Sequence, residues 1–274
     1  MVHPTDLKAK YDRDGFVFPL DVMDDANAMQ VRADLESAEE ELAQDSERLA
    51  LLRGYPDRLL PSFDRLIRDA GLINAASAIL GPDLMVWSAA LFIKEANSPS
   101  IVSWHQDLTY WGLDDAQETT CWVALSDASD ASGAMKFVPG SHKQNIVDHV
   151  DTFAEDNLLT RGQEIAVDVD EKDAVVVELK PGQTSLHHGH LFHGSGPNRT
   201  SDRRIGCAIR YIKASMKQQD DTKSLVAHVS GEDRWQNFTV AGPPRGRLNE
   251  ADFELCRRDV AAKRPILYAG VKDG

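Results

Sequence analysis

Cysteine is scarce in this chain, with three residues in 274: Cys121, Cys207 and Cys256. They stand far apart and form no CxxC pair, so neither a disulfide framework nor a structural zinc site is suggested, and a reducing compartment is implied. Long apolar runs are missing too. No stretch approaches the ~18 residues that span a bilayer, and the opening MVHPTDLKAKYDRDG lacks the apolar segment of a secretory signal. A cytoplasmic location is therefore expected. Positive charge is outnumbered, with 30 Lys and Arg against 44 Asp and Glu, a net charge of −14 and a pI near 5.0. That balance argues against nucleic acid and anionic membranes as partners. An anionic ligand would need a local basic pocket. Internal repeats and low-complexity tracts are absent as well, and nothing sets an oligomeric state.

What is present suits a globular chain with a sizeable core: 42% of residues are apolar and 27% charged. A single domain over 1–274 is expected, mostly helical over 1–84, with a β core over 85–212 and a C-terminal extension over 213–274. Helical spacing of apolar residues runs over 6–12, 25–45 (Ala28, Val31, Leu35, Ala38, Leu42), 61–70 and 73–80, the last two interrupted at Gly71. The stretch 249–263 reads as an amphipathic helix. Short β-type runs occupy 85–94, 101–108, 119–125, 134–138, 174–179, 183–188 and 204–212. Helices first and many short strands after predict a mainly β barrel or sandwich with helices on one side. The long, acidic and weakly patterned connection 142–172 is a candidate lid, or an ordinary insertion covering the barrel edge.

The chemistry concentrates in SWHQDLTYWGL, residues 103–113. In an extended strand, residues two apart share a face, so His105 and Asp107 can offer an imidazole and a carboxylate to one cation. The histidine-rich run from His187 to His193 can return a second imidazole. His193 is the expected ligand because it ends a strand-like stretch and opens the turn Gly194-Ser195-Gly196-Pro197-Asn198. His187, His188 and His190 read as packing or hydrogen-bonding neighbours. Two imidazoles and a carboxylate on one side of an ion leave coordination positions open, which suits non-haem Fe(II). Further on, strand parity puts Arg203 with Ile205, Cys207, Ile209 and Tyr211 on a core-like face. Arg204 goes with Gly206, Ala208 and Arg210 on a face with room for a ligand. Arg204 is the expected anion anchor. For Arg210 an ion pair is expected, with contact to an anion the other reading. Thr109, Tyr110 and Trp111 follow the metal dyad and can line a substrate pocket, the rings stacking on a cationic head group.

The ordered blocks WHQDLTYWGL, TTCWVALSDAS, GAMKFVPGSHK and HGSGPN, with Arg204 eleven positions after His193, resemble the phytanoyl-CoA dioxygenase-type Fe(II)/2-oxoglutarate oxygenases over about 85–212. The resemblance implies a double-stranded β-helix (jelly-roll, cupin-like) core with flanking helices. It implies iron on His105, Asp107 and His193, with 2-oxoglutarate and O2 as cosubstrates. Arg204 and Ser195 would hold the distal carboxylate of 2-oxoglutarate, and Gln106 and Trp122 would line its site. The implied reaction hydroxylates an unactivated C–H of a small molecule and releases succinate and CO2. Related halogenases have a small residue in place of the carboxylate, so Asp107 favours hydroxylation. The WHQDLTYWGL block resembles members of the family acting on 2-aminoethylphosphonate or its N-trimethyl derivative, at the carbon next to phosphorus; ectoine, amino acids and acyl-CoA are the other substrate classes. A cupin-like metal-binding or sensory protein without turnover is a competing reading. A hydrolytic zinc enzyme is disfavoured, because an arginine that grips a carboxylate serves a keto acid better than an activated water.

Overall fold

The structure, a computed structural model, describes residues 4–154, 156–159, 162–220 and 222–267; the ends of the expected terminal parts, 1–3 and 268–274, lie outside them, as do 155, 160 and 161 of the candidate lid. The first third is mostly helical: α1 (Pro4–Asp14), strand β1 (Phe16–Asp21), α2 (Asp25–Glu41), α3 (Ser46–Gly54), α4 (Pro56–Leu59), α5 (Pro61–Ile67) and α6 (Ala70–Leu80). The breaks between helices follow from capping. The carboxylates of Asp24, Asp45 and Asp69 accept the backbone N–H groups of Asn27, Arg48 and Gly71, and Pro56 and Pro61 sit in first turns. Two expectations change for this reason. The helix read over 25–45 stops at Glu41, and Asp45 starts the next one. The pair read over 61–70 and 73–80 breaks at Arg68 and Asp69, while Gly71 lies inside α6, its N–H capped by Asp69.

The remaining elements are β2 (Leu84–Lys94), β3 (Val102–His105), β4 (Glu118–Ala124), β5 (Met135–Phe137), β6 (His149–Asp151), β7 (Gln163–Ile165), β8 (Val175–Val177), β9 (Gln183–His187), β10 (His193–Ser195), β11 (Arg204–Lys213), β12 (Leu225–Ser230), β13 (Thr239–Val240) and α7 (Glu250–Leu267). A seven-stranded sheet in the order β1-β9-β4-β11-β2-β12-β13 and a four-stranded sheet in the order β3-β10-β5-β8 form the jelly roll. The larger sheet draws in β1 from the N-terminal part and β12 and β13 from the C-terminal part, so it reaches beyond 85–212. Among the described residues, no helix is long and apolar enough to cross a membrane.

Strand β11 shows why the sheet sits as it does. Ile205, Cys207, Ile209 and Tyr211 join a core with Leu52, Phe63, Ile67 and Leu72 of the helices, and the Tyr211 hydroxyl donates to the Ile67 carbonyl at 2.8 Å. The helices therefore cover one face of the sheet with apolar side chains, and the opposite face carries Arg204, Gly206, Ala208 and Arg210 inward, as strand alternation requires. The three thiols lie buried, Cys121 and Cys207 in this same core. Burial pushes their pKa values up, that of Cys256 to about 12.

The segment 142–172 contains the two-stranded ribbon of β6 and β7, and its middle is tied to β3. Ser103 Oγ donates to the Gln163 carbonyl at 2.5 Å and accepts from Asn157 Nδ2 at 2.7 Å. Backbone bonds join Ile101 to Asp156 and Leu158.

Gly206 lies under the Trp122 ring, and a Cβ there would come within 1.8 Å of it. Gly206→Ala is expected to cost roughly 1–3 kcal/mol in urea denaturation through overpacking. Gly54→Ala, where nothing lies within 4 Å, is expected to leave stability unchanged or raise it slightly. Equal effects at the two positions would contradict the packing described.

Candidate metal centre

His105 is the last residue of β3. After an extended Gln106, the chain tightens into a single 3-10 turn over Asp107–Tyr110. The strand read over 101–108 thus ends three residues early, and the turn, rather than strand alternation, brings the Asp107 carboxylate back to the imidazole. His105 Nε2 and Asp107 Oδ1 are 3.4 Å apart. His193 does not end a strand but opens β10, a separate strand antiparallel to β3 that places it directly opposite His105. The two ring centroids are 4.0 Å apart, and His193 Nε2 lies 3.9 Å from Asp107 Oδ1. The potential ligand atoms of the three residues all lie within 4.8 Å of one another.

Both imidazoles are oriented by backbone carbonyls two residues earlier. His105 Nδ1 bonds the Ser103 carbonyl and His193 Nδ1 the Leu191 carbonyl, each at 2.9 Å. Such bonds place the proton on Nδ1 and turn the Nε2 lone pairs toward the acid, the tautomer a metal needs. Burial, with the neighbouring His105 and His187, holds His193 well below its usual pKa. For Asp107 burial acts to raise the pKa, but His105, His187, His193 and Arg210 outweigh it and keep the group a carboxylate. Two imidazoles and one carboxylate fit a divalent first-row metal such as iron.

His187 belongs to this cluster although the sequence reading left it as a neighbour. It comes from β9 in the other sheet, its Nε2 is 3.6 Å from Asp107 Oδ2, and neither ring nitrogen has a hydrogen-bond partner among the described residues. Thr120 Oγ1 donates to the same carboxylate at 3.3 Å. Its periodicity offered no signal, because only the packing of two sheets brings β9 over β10.

Arg204 is 1% exposed and lines a narrow cavity with the three metal-binding candidates. One Nη1 hydrogen bond reaches the Phe92 carbonyl at 3.3 Å, while Nε and Nη2 are buried without partners among the described residues. The guanidinium lies 5.3 Å from the Trp122 ring centroid, and burial lowers its pKa only to about 10. It is a preformed cation waiting for an acceptor, which fits the distal carboxylate of a bound keto acid. Ser195 lines the same cavity, but its Oγ already accepts from Lys94 Nζ at 2.7 Å. Lys94, missed in the sequence reading, is fully buried, also bonds the Ser195 and Gly196 carbonyls, and has a pKa lowered to about 6 by burial and the Arg204 charge. Alternation along β2 puts it on the inward face with Ser88, Ala90 and Phe92, a signal present in the sequence but unused.

Gln106 does not reach the Arg204 cavity. Its amide is spent on the His190 carbonyl at 2.9 Å and the Val147 N–H at 2.9 Å, fastening the 142–149 loop beside the ligand strand. Thr109 borders an open groove with His149 rather than the metal-binding side chains. Tyr110 and Trp111 do line a second cavity, of about 270 Å³, that touches His105 and Asp107. Arg203 pairs with Glu36, Glu39 and Glu95 at the surface. Arg210, for which an ion pair was expected, makes none among the described residues; its Nη1 donates to Ser88 Oγ at 3.1 Å.

A jelly roll with this imidazole and carboxylate set, and a buried unpaired arginine behind it, defines the class of the iron and 2-oxoglutarate oxygenases. The sequence profile of the phytanoyl-CoA dioxygenase (PhyH) family matches residues 11–206, and the chain belongs to that family. A solved structure described as an apo non-haem monooxygenase, ThoJ, is 33% identical with a TM-score of 0.86, covering 95% of this chain and 97% of that one. A probable alpha-ketoglutarate-dependent hypophosphite dioxygenase of Stutzerimonas stutzeri is 29% identical over 162 residues, which is 58% of this chain and 56% of that protein. An ectoine dioxygenase of Bordetella parapertussis is 29% identical over 154 residues, 52% of this chain and 50% of that protein. The alignments thus span about half the length of these two relatives.

The histidines next to the centre make a stability prediction. His188 accepts the His190 N–H on Nδ1 at 3.0 Å, which requires a neutral ring. Burial, then His190 and His142, lower its pKa to about 3. An unfolded histidine titrates near ~6.5, so between these values the unfolded chain binds more protons, and stability falls as pH drops through that window. The metal-free protein is expected to lose stability from pH 7 to pH 5. His188→Gln is expected to remove up to roughly 1.4 kcal/mol per pH unit from that slope. Urea midpoints at several pH values measure it, and an unchanged slope would remove His188 from the account.

Proposed function

We propose that the protein is an Fe(II)- and 2-oxoglutarate-dependent dioxygenase that hydroxylates a C–H bond of a small polar metabolite. The observation that carries this reading is the Arg204 guanidinium, whose Nε and Nη2 have no partner among the described residues, in the same cavity as His105, Asp107 and His193. The three metal-binding side chains would hold iron from one side. Arg204, beside the Trp122 ring, would grip the distal carboxylate of 2-oxoglutarate, and Lys94 would hold Ser195 and the start of the following turn in place. When bound, the iron and 2-oxoglutarate supply the oxidant, with succinate and CO2 as coproducts. The chain's own part is to orient and to exclude water. Leu158 and Leu159 of the 142–172 segment border the outer cavity and would screen it from solvent. For the substrate we put forward 2-aminoethylphosphonate or its N-trimethyl derivative, on the strength of the WHQDLTYWGL block.

Anaerobic addition of Fe(II) and 2-oxoglutarate is expected to give a visible charge-transfer band that His105→Ala abolishes. Arg204→Gln is expected to weaken 2-oxoglutarate roughly 10- to 100-fold, the worth of a charge-assisted hydrogen bond pair. Oxygen-dependent succinate release should be stimulated by the phosphonates and not by ectoine, proline or an acyl-CoA. Metal binding without the band would return the protein to a non-catalytic cupin-like role.

A further inference from the structure

Arg210 stands six residues along β11 from Arg204 and on the same inward face, with Gly206 and Ala208 between them. One strand thus aims two guanidinium groups into the jelly roll. Its surroundings differ from those of a structural arginine. It is 9% exposed, and among the described residues its Nε is buried with no acceptor and its one side-chain hydrogen bond goes to Ser88 Oγ. Asp107 and Glu118 feel its charge, but no carboxylate among the described residues pairs with it. By contrast Lys263, on the same cavity wall, is neutralised by Asp259 at 2.7 Å. A buried cation left without an acceptor is costly, and that cost is recovered when a ligand brings the acceptor.

The position decides which ligand. Arg210 borders both the inner cavity, which it shares with Arg204, and the outer cavity of about 270 Å³, and both touch His105 and Asp107. It therefore stands where the outer cavity meets the metal-binding side chains. Its guanidinium carbon lies 5.0 Å from the Trp111 ring centroid, and Trp111 stacks on Trp87 at 5.0 Å. The guanidinium thus lies against a stacked ring pair, whose second member, Trp87, also has Lys263 Nζ 4.7 Å from its centroid.

We infer that Arg210 anchors the primary substrate, and that this substrate is a small organic oxyanion whose charged group pairs with Arg210 while its carbon chain lies against Trp87 and Trp111. The inference rests on the oxygenase reading proposed above. A carboxylate and a phosphonate both present the paired oxygens that a guanidinium takes through parallel hydrogen bonds. At roughly 30 Å³ per water-sized group, the cavity of about 270 Å³ admits a small molecule of about ten heavy atoms.

The test uses the Fe(II)- and 2-oxoglutarate-loaded protein under anaerobic conditions. 2-Aminoethylphosphonate, a panel of short carboxylates and phosphonates, and the neutral amide or ester of each are titrated by calorimetry and by perturbation of the visible band. At least one oxyanion should bind about tenfold or more tightly than its neutral counterpart, and carboxylate and phosphonate members of equal chain length distinguish the two head groups. Arg210→Gln should weaken that oxyanion roughly 10- to 100-fold and leave 2-oxoglutarate affinity unchanged, with Arg210→Lys intermediate. Thermal melts of both variants check that they fold.

Equal binding of oxyanions and neutral analogues overturns the inference, as does equal affinity in wild type and Arg210→Gln. A loss of 2-oxoglutarate affinity in Arg210→Gln also overturns it, because Arg210 then serves the cosubstrate. Absence of the band before any oxyanion is added overturns the oxygenase reading instead. Oxyanion binding through Arg210 in such a protein would still support the anchor.

Discussion

The pairing of β3 with β10 is the constraint around which the centre is built. Register places His193 opposite His105, and a one-residue slip would turn one ring out of the interior. Each ring then hydrogen-bonds a carbonyl of its own strand or its approach, so the backbone sets both positions and both tautomers before any metal is present. Asp107 joins them because the chain cannot continue as a strand. The 3-10 turn ends β3 and swings the carboxylate under the imidazoles.

Charge is distributed in the opposite sense to the composition. The whole chain carries −14, yet the inward face of the larger sheet presents Lys94, Arg204 and Arg210 with no carboxylate paired to any of them among the described residues. Two buried guanidinium groups beneath an acidic surface, close to the buried carboxyl groups of Asp107 and Glu118, give an anionic ligand a local favourable site. Burial keeps that arrangement tense. It lowers the pKa of Lys94 and Arg204, and the low-dielectric surroundings make each missing acceptor expensive. The outward face of the same sheet balances this with apolar packing against the helices, where Leu52, Leu59, Phe63, Ile67 and Leu72 are fully buried.

Much of this was legible in the sequence, because strand alternation says which residues share a face. It separated Arg203 from Arg204 and the apolar side of β11 from its ligand side, and both separations hold in the coordinates. The spacing of His105, Asp107 and His193 pointed to one centre, and the three do meet. What alternation does not report is what lies across from a face. His187 arrives from the other sheet, Lys94 from a neighbouring strand, and Lys263 from the C-terminal helix, all through packing over long sequence separations. Short strands such as β6, β7 and β10 carry too few residues to show a period and are held by their partners. Gln106 stands between two metal-binding candidates and borders the outer cavity with them, but its amide is taken up in securing a loop. The capping aspartates were visible residues whose effect on helix boundaries becomes plain only when the turns are built.

The three thiols carry a last consequence. Cys121 and Cys207 sit on the helix side of the sheet, with pKa values raised by burial, and Cys256 is buried as well. Thiolate, not thiol, captures soft metals and reacts with oxidants. A protein that handles iron and oxygen at one surface of a sheet thereby keeps its most oxidisable sulfur atoms protonated behind the other. Self-inflicted damage and competition for the metal are both suppressed by the layer that holds the fold together.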